Sequence, residues 1–241
     1  MGLSRCSAFI AASFVAFVHA ADHVELYIPE APPLTFQQYH NGHGIVGDMA
    51  LRAIIDAGLI ATLVKMPWAR AQLNVAAGKN LLITPLSRTP EREEQYTWIA
   101  PIMSLERAFF SLGPPVSSFD DARKRYNRIA VGLGTPQETT LLQAGIHPDQ
   151  IVSIKLGEIP TNMLKLGRVD AWYTGIPEAL FLWPEDGPRL QRSPILNASD
   201  IYLACSKDCN PKLVQRLRQA IEGLHKKGTL EEVKRVYLPE P

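Results

Sequence analysis

Thr84-Pro85-Leu86-Ser87-Arg88-Thr89-Pro90-Glu91-Arg92 is the stretch on which the fold and the function both turn. It leaves an apolar run, residues 81–84, that reads as a β-strand. In α/β proteins ligands collect beyond the carboxyl ends of such strands. Thr89 followed by Pro90 has the form of a helix N-cap and a first-turn proline. Arg92 then falls in the first turn. A guanidinium beside unpaired backbone N–H groups suits a carboxylate. The alternative is that Thr89 only caps and Arg92 pairs on the surface with Glu93 or Glu94.

Strand and helix patterns alternate on both sides of this segment. Before it, residues 23–28 read as a strand. Residues 47–57 carry Met49, Leu51, Ile54 and Ile55 at helical spacing, with Gly58 as a stop. A strand is expected at 61–65 and a helix at 68–77. After it, strands are expected at 107–112, 128–132, 151–155, 171–174 and 201–206. Helices are expected at 120–126, 135–144, 161–166 and 211–225, with a last one opening at Thr229, where T-x-x-E to Glu232 has the form of a capping box. The alternation predicts an α/β protein. At 241 residues, 46% hydrophobic and 20% charged, the chain can form two α/β lobes. A cleft between lobes is the default place for a small ligand. No fixed repeat period is present, which excludes a solenoid.

A second helix opening mirrors the first. Gly132-Leu133-Gly134-Thr135-Pro136-Gln137-Glu138 follows a strand, with Thr135 as expected cap, Pro136 in the first turn and Glu138 closing a capping box. The spacing is not the dinucleotide fingerprint. One helix start from each lobe would hold an anion from two sides; the plain alternative is two capped helices without a ligand. Met66-Pro67-Trp68-Ala69-Arg70 adds an aromatic wall in Trp68 and a cation in Arg70, against core packing as the simpler reading of the Trp. His40 and His43 lack further ligands for a metal. Neither G-x-S-x-G nor H-E-x-x-H occurs, so no catalytic residue, metal or cofactor is assigned. A net charge of +1 gives no nucleic-acid footprint. The short run Arg123-Lys124-Arg125 reads as a solvated helix face.

The first residues read as an export signal. A short basic start through Arg5 precedes an apolar stretch, residues 8–18, too short to span a bilayer, and Val18-His19-Ala20 offers a cut after Ala20. The competing readings are a buried helix or a membrane anchor. Arg5 before Cys6 argues against a lipid anchor. Export leaves Cys205 and Cys209, which an oxidising compartment allows to form a local disulfide; a metal pair or two free thiols are the alternatives.

Together these segments resemble the bacterial family 3 extracellular solute-binding proteins of ABC importers. The likeness rests on Pro33-Leu34-Thr35-Phe36 with Gly44-Ile45-Val46-Gly47, on Leu86 to Arg92 followed by Trp98-Ile99-Ala100-Pro101-Ile102, on residues 131–138, and on Gly167-Arg168-Val169-Asp170-Ala171. The resemblance implies a type II periplasmic-binding fold with two crossover strands. Residues 1–20 would be the signal, 21–103 and 200–241 the first lobe, and 104–199 the second. It implies a monomer in the periplasm, an ABC permease and ATPase as partners, and no membrane span in the mature chain. Arg92 corresponds to the arginine that grips an α-carboxylate, and Ser87 to its hydroxyl partner. The implied ligand set is Trp68, Arg70, Ser87, Arg92, Thr135, Gln137 and Tyr173. One position departs. Gly175 stands where the family's amino-acid binders carry the aspartate that pairs with the α-amino group, so that anchor is missing or moved to Glu30 or Glu178. The competing functions are a cyclohexadienyl-dehydratase-like enzyme on the same scaffold, with Glu178 as its acid, and ligand sensing without transport.

Overall fold

The computed structural model describes residues 22–38, 40 and 42–238, so the expected signal segment lies outside the described residues. Nine strands and eight α-helices follow in order: β1 His23–Tyr27, α1 Ile45–Asp56, β2 Ile60–Val64, α2 Trp68–Ala77, β3 Leu82–Ser87, β4 Tyr96–Ser111, α3 Phe119–Arg125, β5 Ile129–Gly132, α4 Pro136–Gln143, β6 Ile151–Ile154, α5 Thr161–Lys165, β7 Ala171–Gly175, α6 Ile176–Leu182, β8 Gln191–Arg192, β9 Asn197–Ser206, α7 Pro211–Lys226 and α8 Thr229–Tyr237.

Eight of the nine strands form one hydrogen-bonded path, β2-β1-β3-β9-β4-β7-β5-β6, and β8 pairs with β4 beside it. Its outer parts are parallel, β2-β1-β3 at one end and β7-β5-β6 at the other. Between them run two long antiparallel strands, β4 and β9, in register from Tyr96↔Ser206 to Arg107↔Asn197. Beyond that point β4 leaves β9 and pairs with β7, from Arg107↔Gly175 to Ser111↔Ala171. These shared strands carry the chain from one half to the other and back.

Each half buries apolar side chains on both faces of its sheet, as parallel strands under helices require. In the first, Leu26, Met49, Ile54, Ile102, Leu203, Leu217 and Ile221 join α1, α7 and α8 to the sheet. Val75, Ile83 and Leu86 pack under α2 on the other face. In the second, Phe109, Val131, Leu141 and Tyr173 fill one face, and Phe110, Leu164 and Trp172 the other. The result is a two-lobed α/β protein of the periplasmic-binding type. The basic run of α3 lies on solvent and pairs with Asp120 and Asp121.

Four sequence expectations need correction. The segment after Thr89 is a 3-10 helix, Pro90–Gln95, and no side chain caps it; the Thr89 hydroxyl bonds the Glu91 carboxyl instead. Thr135 does not cap α4. Its hydroxyl donates to the Gly132 carbonyl at 2.6 Å, and Glu138 accepts from Ser153 rather than closing a box. Thr229 is the first residue of α8, after Gly228 at φ 75, so its capping box does not form either. Finally, residues 176–182 and 191–192, given no element in the sequence, form α6 and β8.

Cys205 and Cys209 are joined by a disulfide from the end of β9 to the turn before α7. Its loop is short, so the chain-entropy account gives about 2 kcal/mol. Cys209→Ser is therefore expected to lower Tm by no more than about 4–8 °C, measured by calorimetry under oxidising conditions. A much larger loss would mean that Cys205, fully buried in the first core, also depends on the bridge for its packing.

Candidate functional site

Arg92 points between the halves. Its Nη1 donates to the Ser87 carbonyl at 3.3 Å, and its Nη2 to Gln72 Oε1 at 2.6 Å and to the Gly134 carbonyl at 3.3 Å. The surface pair that Arg92 could have made is made by Arg88, whose Nε donates to Glu93 Oε2 at 2.8 Å while its guanidinium stacks on Trp98 and Tyr202. That leaves Arg92 with neutral oxygens only. Burial holds its pKa below the ordinary arginine range, because desolvation of the charge outweighs the through-space effects of Tyr96 and Glu91.

The two halves are closed on one another. Gly134 in the β5–α4 turn takes bonds from both Arg92 and Gln72, residues of the other half. Gly157, at φ 85, brings its backbone so near the first half that a β-carbon there would sit 2.7 Å from the Glu30 carbonyl oxygen. Only glycine allows that approach.

The closed cleft holds a small central cavity that opens to solvent at its mouth. Five of the seven residues expected from the sequence line it: Trp68, Ser87, Arg92, Thr135 and Gln137. Trp68 opens α2 and forms the apolar wall, with its Cδ1 3.7 Å from where a β-carbon on Gly134 would lie. Gln137 is 5% exposed and its Oε1 has no hydrogen-bond partner. The other two are not brought there. Arg70, on the outer side of α2, is exposed. Tyr173 is fully buried, its ring packed on Phe109 and Phe119, and burial pushes its phenol up to about 12.

Two further residues complete the cavity. Arg107, read in the sequence only as the start of a strand, is 3% exposed. It sits where β4 passes from β9 to β7. Its Nη2 donates to Ser87 Oγ at 3.2 Å, its Nη1 to Ser199 Oγ at 2.8 Å and to the Leu105 carbonyl at 3.2 Å, and its Nε has no partner. Glu178, in the first turn of α6, is the acid that lines the cavity. Glu30 instead lies on an outer crevice and accepts from the Gln37 backbone N–H. A β-carbon at position 175 would lie 2.9 Å from Leu105 Cδ1, so an acid there would require the Leu105 side chain to shift.

Burial pushes the Glu178 carboxyl up to about 7, against the lowering effects of the Thr174 hydroxyl that donates to it and of the Arg107 charge. A carboxyl with a raised pKa keeps its proton in the fold at a pH where the unfolded chain has lost it. The stability it confers is complete below about 4.5 and declines as pH rises to about 7. With the half-buried carboxyl taken into account, the decline is about 1–2 kcal/mol. Glu178→Gln is expected to remove that part of the fall in Tm between pH 5 and pH 8, read by calorimetry on the unliganded protein. An unaltered pH profile would place the Glu178 carboxyl in contact with water.

Among the described residues no group of three or more His, Cys, Asp or Glu side chains could hold a metal ion, and no helix is long and apolar enough to cross a membrane.

Comparison with known proteins gives this cleft its family. No curated protein matches the chain significantly. Among solved structures, an ancestral arginine-binding protein bound to glutamine matches with a TM-score of 0.76 at 21% identity, over 92% of this chain and 100% of that one. The arginine-, lysine-, histidine-binding protein ArtJ from Geobacillus stearothermophilus matches with a TM-score of 0.75 at 19% identity, over 91% and 97%. The ancestral amino acid-binding protein AncCDT-1, a precursor of cyclohexadienyl dehydratase, matches with a TM-score of 0.74 at 19% identity, over 90% and 96%. At these identities the likeness shows the fold. The sequence itself matches the family model over residues 26–240, and the chain belongs to the bacterial extracellular solute-binding proteins, family 3.

Proposed function

We propose that this protein captures a small carboxylate-bearing solute, an amino acid or a related acid, in the periplasm and delivers it to an ABC permease and ATPase. The observation that carries the reading is Arg92: a half-buried guanidinium at the meeting of the halves, hydrogen-bonded to neutral oxygens alone. A carboxylate placed there gains a charge-assisted, two-pronged partner and relieves the desolvated cation. Ser87, Thr135 and Gln137 supply polar groups around it, and Trp68 the apolar wall. The first lobe comprises residues 21–103 and 200–241 and the second 104–199; most buried residues of each division share clusters, with Leu105, Leu156 and Phe181 of the second packing against the first. Closure about β4 and β9 then brings Arg92 and the β5–α4 turn onto one guest.

A thermal-shift screen of amino acids, organic acids and polyamines tests this. A carboxylate ligand at a hundred times its Kd is expected to stabilise the protein by about 2.7 kcal/mol. Stabilisation by polyamines alone would reject the carboxylate reading.

A second reading has one observation in its favour. Glu178, with a carboxyl near neutrality inside the cavity, has the protonation behaviour of a general acid. It would suit a cyclohexadienyl-dehydratase-like elimination. Incubation with cyclohexadienyl carboxylic acids separates the two: a binding protein returns them unchanged, and an enzyme releases the aromatic product.

A further inference from the structure

We propose that the guest is a small dicarboxylate, with one carboxylate on Arg92 and the other on Arg107; this rests on the carboxylate reading above. The two guanidiniums bracket a single residue, Arg92 on the Ser87 carbonyl and Arg107 on its hydroxyl. Neither has a carboxylate in hydrogen-bond contact: every acceptor they use is a neutral oxygen. Arg107 is buried and Arg92 half-buried, and desolvation disfavours the charge of each. Glu178 acts on Arg107 and Glu91 on Arg92 only through space, so a diacid would give each guanidinium a direct carboxylate partner where a single carboxylate would serve one.

The space around the pair has the matching form. Arg92 and Arg107, with Thr135 and Pro136, stand between the central cavity and a second, outer one, and they line both. The outer cavity adds the polar side chains of Thr139, Thr140, Asn197 and Ser199. Glu91 is the one acid of that outer cavity, set against Arg88, Arg92 and Arg107, so the balance of charge on each side of the guanidinium pair still suits a carboxylate. The Nε of Arg107, buried and without a partner, is a donor still free for one of them. Glu178 lines the central cavity beside them, so the dicarboxylate has two chemical sources: a plain diacid, or an acidic amino acid whose ammonium group meets Glu178.

Titration calorimetry of the full mature protein compares succinate, glutarate, L-aspartate and L-glutamate with butyrate and L-alanine. At least one diacid is expected to bind about tenfold or more tightly than the monocarboxylates. Preference for L-aspartate or L-glutamate over succinate and glutarate assigns the ammonium group to Glu178, and the opposite preference assigns a plain diacid. Arg107→Lys keeps the charge but loses the planar fork. It is expected to weaken diacid binding by about tenfold and monocarboxylate binding by clearly less, whereas general loosening of the fold would weaken both alike. If Arg107→Lys does not fold, the ligand series on the unaltered protein carries the test. Monocarboxylates that bind as tightly as diacids overturn the inference and leave the carboxylate reading standing. Failure of every carboxylate to bind overturns both.

Discussion

Arg92→Ala is expected to weaken ligand binding by about 2–5 kcal/mol, a loss of roughly thirtyfold to several thousandfold. The magnitude follows from where the guanidinium lies. It is half-buried, it joins Gln72 of the first half to Gly134 of the second, and no carboxylate hydrogen-bonds to it. Truncation removes the ligand's charged partner, and it also removes a contact across the closed cleft. The empty protein should respond differently. There the lost hydrogen bonds are offset by release of a desolvated charge, so Tm is expected to move by only a few degrees. Arg92→Lys should recover part of the affinity, because charge returns without the planar fork. Calorimetric titration of the three proteins with the natural ligand checks the series. Unchanged affinity in Arg92→Ala would remove the guanidinium from the site.

How far the sequence reaches can be seen residue by residue. Residues 68–77 form α2 as their spacing predicts, because an apolar stripe at helical period is a local signal. The two long strands were half hidden. β4 carries Pro101 and register shifts at Trp98/Ala100 and Pro101/Met103, which break the alternation that identifies a strand. Helix openings were placed well, but the hydroxyls of Thr89, Thr135 and Thr229 do not cap. Spacing locates a helix start without deciding which acceptor a rotatable hydroxyl takes. Arg92, Ser87, Trp68, Thr135 and Gln137 were legible as a group because each borders a strand end or helix start. Arg107 was not. Its importance lies in β4 changing partners at that residue, a non-local fact. Tyr173 was placed in the ligand set and lies in the core for a related reason: every residue of β7 is buried, so no alternation marks which side faces the cleft.

Gly157→Ala is expected to weaken ligand binding by about 2 kcal/mol, or roughly thirtyfold, without touching any residue of the cavity. Position 157 carries two separate demands. At φ 85 it occupies the left-handed region, which costs a residue with a β-carbon about 1–2 kcal/mol whether the cleft is open or shut. In the closed form that carbon would also lie 2.7 Å from the backbone oxygen of Glu30, in the other half. A carbonyl in the main chain cannot swing aside as a side chain can. The second cost therefore falls on the closed form alone, and a ligand that binds by closure must overcome it. Gly167→Ala separates the two effects. Gly167 also lies in the left-handed region, at φ 64, yet nothing is within 4 Å of a β-carbon there. Both variants should lose comparable stability in the empty state. Only Gly157→Ala should lose affinity, and small-angle scattering should show it more open than the parent at equal ligand concentration. If the two alanine variants bind alike, closure of this cleft does not run through the contact between Gly157 and Glu30.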